Sequence, residues 1–71
     1  MKDSCCWVIK VTFLDTGKVN FNEAYWNLSR CKNAIGKKIR YDTDIEIIDE
    51  YTIKDINLNI LYEAKLVSIF E

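Results

Sequence analysis

The chain has 71 residues, 49% of them hydrophobic and 30% charged, with a formal net charge of −1, three cysteines, no histidine and no proline. That length limits it to a single small domain, residues 1–71, because a second would lack residues for its own core. High apolar content with little net charge excludes a disordered chain, and no apolar run approaches the ~20 residues that a membrane-spanning helix needs.

Residues 5–14 read as a first strand. Cys5, Trp7, Ile9, Val11 and Phe13 share one parity and Lys10 and Thr12 the other, with Val8 and Leu14 against the alternation. Asp15, Thr16, Gly17 and Lys18 supply turn chemistry, since Gly17 is free to take a positive φ. Val19 and Phe21 then form a short second strand and close a hairpin.

A helix is expected over 22–35. Asn20 or Asn22 is its N-cap, and Asn20 with Glu23 three residues on resembles a capping box. Ala24, Leu28, Cys31 and Ile35 recur at spacings that stack them on one face. Gly36 stands where a C′ glycine belongs. Arg30, Lys32, Lys37 and Lys38 gather at the end where cations suit the helix dipole.

From residue 39 the period returns to two. Ile39 and Tyr41 open a short strand, which Asp42, Thr43 and Asp44 break. Ile45, Ile47, Tyr51 and Ile53 share one parity, and the misplaced Ile48 and Asp49 point to a bulge. Ile56, Leu58, Ile60, Tyr62, Ala64, Leu66 and Phe70 share the even parity of one long strand or two short ones, although a helical template also catches Ile56, Ile60, Ala64 and Val67. The fold class that follows is α+β. A small antiparallel sheet of four to five strands (β-hairpin, one helix, then two or three strands) carries one helix across one face. The helix stripe is expected to bury against Trp7, Ile9, Val11, Phe13, Ile45 and Ile47, leaving the other face wet or for a partner.

Charge is divided unevenly along the chain. Residues 1–41 hold eight basic groups against three acids, and residues 42–71 hold two against eight. Such a split marks two surfaces of opposite sign, or is satisfied internally where the basic helix end faces an acidic strand. The acids Asp42, Asp44, Glu46, Asp49 and Glu50 suit either a solvated, protected sheet edge or a mimic of a polyanion.

Chemistry-bearing groups are few. Without histidine the usual general base near neutral pH is missing, and two glycines make no phosphate-cradling loop. An odd cysteine count with two adjacent residues argues for small apolar thiols in a reducing, cytoplasmic setting, and three Cys with no His fall short of a zinc set. Met1, Lys2 and Asp3 do not open a secretory signal. Asp42 and Asp44 have the D-x-D spacing of a cation site, but equally that of a polar turn. No catalytic residue, metal or cofactor is expected.

Trp26 stands out. On the expected helix, at roughly 100° per residue, it lies opposite the apolar stripe among Asn22, Ser29, Arg30 and Asn33. There Arg30, four residues on, can lie over the indole. Tryptophan and arginine are the residue types most often found at interface hot spots. A partner-binding surface of Trp26, Arg30, Asn33 and Lys37 is therefore expected, with homodimerisation as a companion in so small a chain. The alternative is a nucleic-acid-binding surface of Arg30, Lys32, Lys37, Lys38 and Arg40, flanked by Trp26 and Tyr41 for stacking. In size and in its Lys, Asn and Ile usage the chain resembles small proteins of phages and mobile elements of low-GC bacteria. That resemblance is compositional and rests on no motif. It implies a protein that binds and inhibits or modulates a host enzyme.

Overall fold

The computed structural model describes residues 4–39 and 42–69. The expected α+β layer is present: five antiparallel strands in one sheet, with one helix packed on a face. In chain order the elements are β1 (Ser4–Phe13), β2 (Lys18–Tyr25), α1 (Leu28–Lys38), β3 (Ile45–Asp49), β4 (Thr52–Asp55) and β5 (Ile60–Ile69). They lie across the sheet as β2-β1-β5-β4-β3. The two ten-residue strands β1 and β5 form its spine, in unbroken register from Ser4 opposite Ile69 to Phe13 opposite Ile60.

Residues opposite each other in a ladder point to the same face. Ile9 opposes Ala64 and Val11 opposes Tyr62. These four, with Cys31 and Ile35 from α1, are the buried core, and Trp7, Phe13, Tyr25, Leu28, Ala34, Ile39 and Ile60 pack around it. The parities expected of the first and last strands are thus correct at the spine. Gly17 takes φ +77° in the β1–β2 turn, where a side chain would strain the backbone, and its N–H donates to the Phe13 carbonyl. The bulge expected near Ile48 is present, as a register shift between Ile47 and Asp49.

Several expectations need correction. The helix starts six residues late. Residues 22–25 stay in β2, which pairs with β1 as far as Tyr25 opposite Trp7, so a long partner strand overrides helical spacing there. Asn27 is the N-cap: its side-chain oxygen accepts from the Arg30 N–H at 2.9 Å, and neither Asn20 nor Asn22 takes that role. Gly36 lies inside the helix, which ends at an extended Ile39. The segment 44–53 folds as two strands, β3 and β4, with the Asp49 carboxylate accepting from the Tyr51 N–H at their turn. Ile56 and Leu58 belong to the following turn and are exposed. The strand suggested at Ile39 and Tyr41 falls partly outside the described residues, as does Phe70.

The largest correction concerns what the helix covers. Among the described residues α1 packs on β1, β5 and β2 and makes no packing contact with β3 or β4. Five strands span roughly 20 Å at ~4.8 Å spacing, whereas one helix is about 10 Å wide. Ile45 and Ile47 lie on the helix-bearing face, because they oppose Asp55 and Ile53, which in turn oppose Ile60 and Tyr62. They are 45% and 71% exposed. Tyr62 and Ala64 of β5, which the expected core did not include, take their place against the helix.

Candidate interaction surface

A bulge in the edge strand β2 builds the site. Between Val8 and Lys10 of β1 the register slips, and β2 carries one residue more. Alternation along β2 therefore reverses. Phe21 opposes Lys10 on the face away from the helix, while Tyr25 opposes Trp7 on the helix face. Glu23 and Tyr25 then meet α1. The Tyr25 hydroxyl donates to Glu23 Oε2 at 2.6 Å, and Lys38 Nζ donates to Glu23 Oε1 at 2.9 Å. Both contacts hold the Glu23 carboxyl below the usual glutamate range, the Tyr25 hydrogen bond being the largest single cause and Lys38 adding a hydrogen bond and its charge. The same hydrogen bond pushes the Tyr25 phenol up.

This clasp forms one end of an open groove of about 440 Å³ between β2 and α1. Arg30, Asn33, Ala34 and Lys37 line its helical wall. Three of the four residues expected to bind a partner are thereby brought together, on a helix phased so that Cys31 and Ile35 point inward. Arg30 and Lys37 form no ion pair among the described residues, so the groove presents two uncommitted cations and a neutralised third.

Trp26, the fourth, lies on the linker between β2 and α1 and not on the helix. It is nonetheless 74% exposed. Together with Cys6, Ala24 and Tyr25 it lines a depression of about 140 Å³. Tyr25 separates this depression from the basic groove, since it lines both. Arg30 and Trp26 form no cation–π contact among the described residues, because the i, i+4 geometry that would stack them does not exist off the helix.

The residues of the alternative nucleic-acid surface are divided. Arg30, Lys37 and Lys38 line the groove, with Lys38 paired to Glu23. Lys32 lies on the opposite flank of the helix, two residues or roughly 200° from Arg30. Arg40 lies outside the described residues. At the basic helix end Lys38 meets Glu23 of β2.

Elsewhere, Asp55 is 2% exposed and serves as an internal anchor. Its Oδ1 accepts from Thr43 Oγ1 at 3.2 Å and from the Leu58 N–H at 3.0 Å. Asp42 and Asp55, not Asp42 and Asp44, line a pocket of about 200 Å³ with Thr43, Asn57 and Leu58. No group of three or more metal-ligating side chains occurs among the described residues. Cys31 is buried and its thiol pushed up by burial, which disfavours the nucleophilic thiolate. No helix among the described residues is long and apolar enough to cross a membrane.

Sequence reasoning missed Tyr25, Glu23 and the apolar side chains of β3 as surface groups. Helical spacing puts Tyr25 and Glu23 in a helix, and strand parity puts Ile45 and Ile47 in the core. The width of five strands against one short helix was the available signal that a single helix does not cover them. Comparison with known protein families, curated proteins and solved structures finds no match to this chain.

Proposed function

We propose that this protein is a non-enzymatic protein–protein interaction module, which engages an acidic segment of its partner through the basic groove and seats an apolar group of that partner against Trp26. One observation carries the reading: an indole 74% exposed beside a groove in which Arg30 and Lys37 have no counter-ion among the described residues. Folding gives no reason for either feature, whereas an aromatic anchor flanked by arginine is the usual composition of a binding hot spot. Complementary charge would speed encounter and fix register more than it would add affinity. The compositional likeness to small phage and mobile-element proteins extends the proposal to a host enzyme that is bound and inhibited or modulated.

The test is affinity capture from the cells that express the protein, run in parallel with Trp26→Ala and with Arg30→Glu/Lys37→Glu. One captured protein should disappear with both variants while their circular dichroism matches the wild type. Capture of the same set by all three would overturn the reading. Retardation of single-stranded oligonucleotides by the same groove, falling steeply with salt, would assign it to nucleic acid instead.

A further inference from the structure

Among the described residues β2 is an edge strand, paired with β1 on one side and open on the other. Backbone groups of successive strand residues point to opposite sides within the sheet. Leu14, just past β1, donates its N–H to the Asn59 carbonyl, and the Phe13 carbonyl accepts from Gly17, so the odd residues of β1 aim at β2. Lys18 and Asn20 oppose Phe13 and Val11 and aim back at β1, whereas Val19 and Phe21 turn their N–H and C=O groups outward. Beyond the bulge Tyr25 opposes Trp7, which leaves Ala24 outward in the same way. The side chains of this edge divide by face. Val19, Phe21 and Ala24 lie away from the helix, the first two 42% and 58% exposed. Lys18 and Asn20 lie on the helix face, as the groove does. Lys18, like Arg30 and Lys37 on the groove wall, forms no ion pair among the described residues. An open edge that carries exposed valine and phenylalanine invites strand addition. The opposite edge, β3, has no helical wall, because α1 makes no packing contact with it.

We propose that the partner segment is extended, adds to the outer edge of β2 as a sixth strand, and alternates acidic with apolar residues, a form of partner that rests on the protein–protein reading of the groove. Main-chain bonds to the outward groups of Val19, Phe21 and Ala24 hold such a strand, and the side chains on its two faces select its sequence. Side chains opposite one another in a ladder lie about 5 Å apart. One alternate set therefore falls on the helix face, beside Lys18 and below the Arg30 and Lys37 wall, where carboxylates are matched. Glu23 does not oppose them, since Lys38 already pairs with it. The other set falls beside Val19, Phe21 and Ala24, where apolar side chains are matched. A segment of about six residues covers Val19 to Ala24, with the bulge interrupting its ladder after Phe21.

Fluorescence polarisation with the full chain and dye-labelled, end-capped peptides tests it. One octapeptide alternates valine with glutamate, and the other carries the same residues as a valine block followed by a glutamate block. The alternating peptide should bind at least about tenfold tighter. N-methylation of one alternate set of its residues should abolish binding, while methylation of the other set should leave it within about twofold, because only every second N–H of an added strand faces its neighbour. Val19→Pro removes an outward N–H and spares the ladder with β1, as edge strands tolerate, and should weaken binding about tenfold. Equal binding of the two peptides, or equal loss with the two methylations, overturns strand addition. If both peptides then still weaken with Arg30→Glu/Lys37→Glu, the basic groove keeps its reading and only the added strand is lost. Binding of the alternating peptide that is indifferent to Arg30→Glu/Lys37→Glu overturns the groove reading and, with it, the acidic half of the match.

Discussion

The two halves of the helix-bearing face are built from the same kinds of residue and reach different ends. Over β1 and β5, alternating apolar side chains meet the stripe of α1, and Ile9 and Cys31 are fully buried. Over β4 and β3, Ile45 and Ile47 alternate just as regularly and remain exposed. The covered half is held by packing. The bare half is held by its ladders and by the polar anchor Asp55, which ties the turn at Leu58 and the approach to β3 at Thr43. Period-two alternation therefore marks the face a residue points to, not whether anything covers it. Coverage depends on how many strands one helix can span.

Substitutions at equivalent positions in the two halves give the largest contrast. Ile9→Ala, at a site with no exposure, should destabilise the chain by about 3 kcal/mol, the range for a cavity left in a packed core. Ile47→Ala should stay within about 0.5 kcal/mol at concentrations where the chain is monomeric, as exposed substitutions do. Urea unfolding followed by circular dichroism measures both, and equal effects would erase the distinction between the halves. Asp55→Ala comes next. It leaves the Thr43 hydroxyl and the Leu58 N–H without their acceptor in a part-buried site, a loss of about 2 kcal/mol. Hydrogen exchange should show the loss in β3 and β4 before β1 and β5. Uniform loss of protection would mean that the bare half has no separate anchor.

Much of this fold is legible in the sequence, because local rules and tertiary contacts agree along β1 and β5. Ile9, Val11, Tyr62 and Ala64 lie inside as their parity requires. The reading fails where two local rules compete. At 20–25, Asn20 and Glu23 offer a helix start, but β1 is long enough to keep pairing, and strand formation continues to Tyr25. The helix then waits for Asn27, an equally good cap. Gly36 misleads for a related reason: glycine at a helix end is a strong stop signal, yet the helix runs two residues past it. The site was half legible. Arg30, Asn33 and Lys37 share a helical wall at either phase of the start, whereas Glu23 and Tyr25 reach the groove only through a bulge that no local pattern marks. Trp26 is exposed as expected, for the different reason that it precedes the cap.

The smallest expected effect probes how the covered half is fastened at its outer side. Glu23 joins β2 to α1 by accepting from Tyr25 and Lys38, and both hold its carboxyl below the usual glutamate value of 4.5. A carboxyl with a depressed folded value contributes stability above its unfolded value and loses it as pH falls through the folded one. The clasp should thus be complete at neutral pH and released only below pH 4.5. Because the pair is exposed, solvent screens it, and the effect on unfolding should be slight. The carbon-13 shift of the Glu23 carboxyl, followed with pH, should show a midpoint below that of free glutamate. Tyr25→Phe and Lys38→Met should each return it toward the ordinary value, since the Tyr25 hydrogen bond is the largest single cause and Lys38 adds both a hydrogen bond and its charge. A midpoint left unchanged by Tyr25→Phe would make the groove's closed end an ion pair alone. Its response to salt would then exceed its response to loss of the hydroxyl.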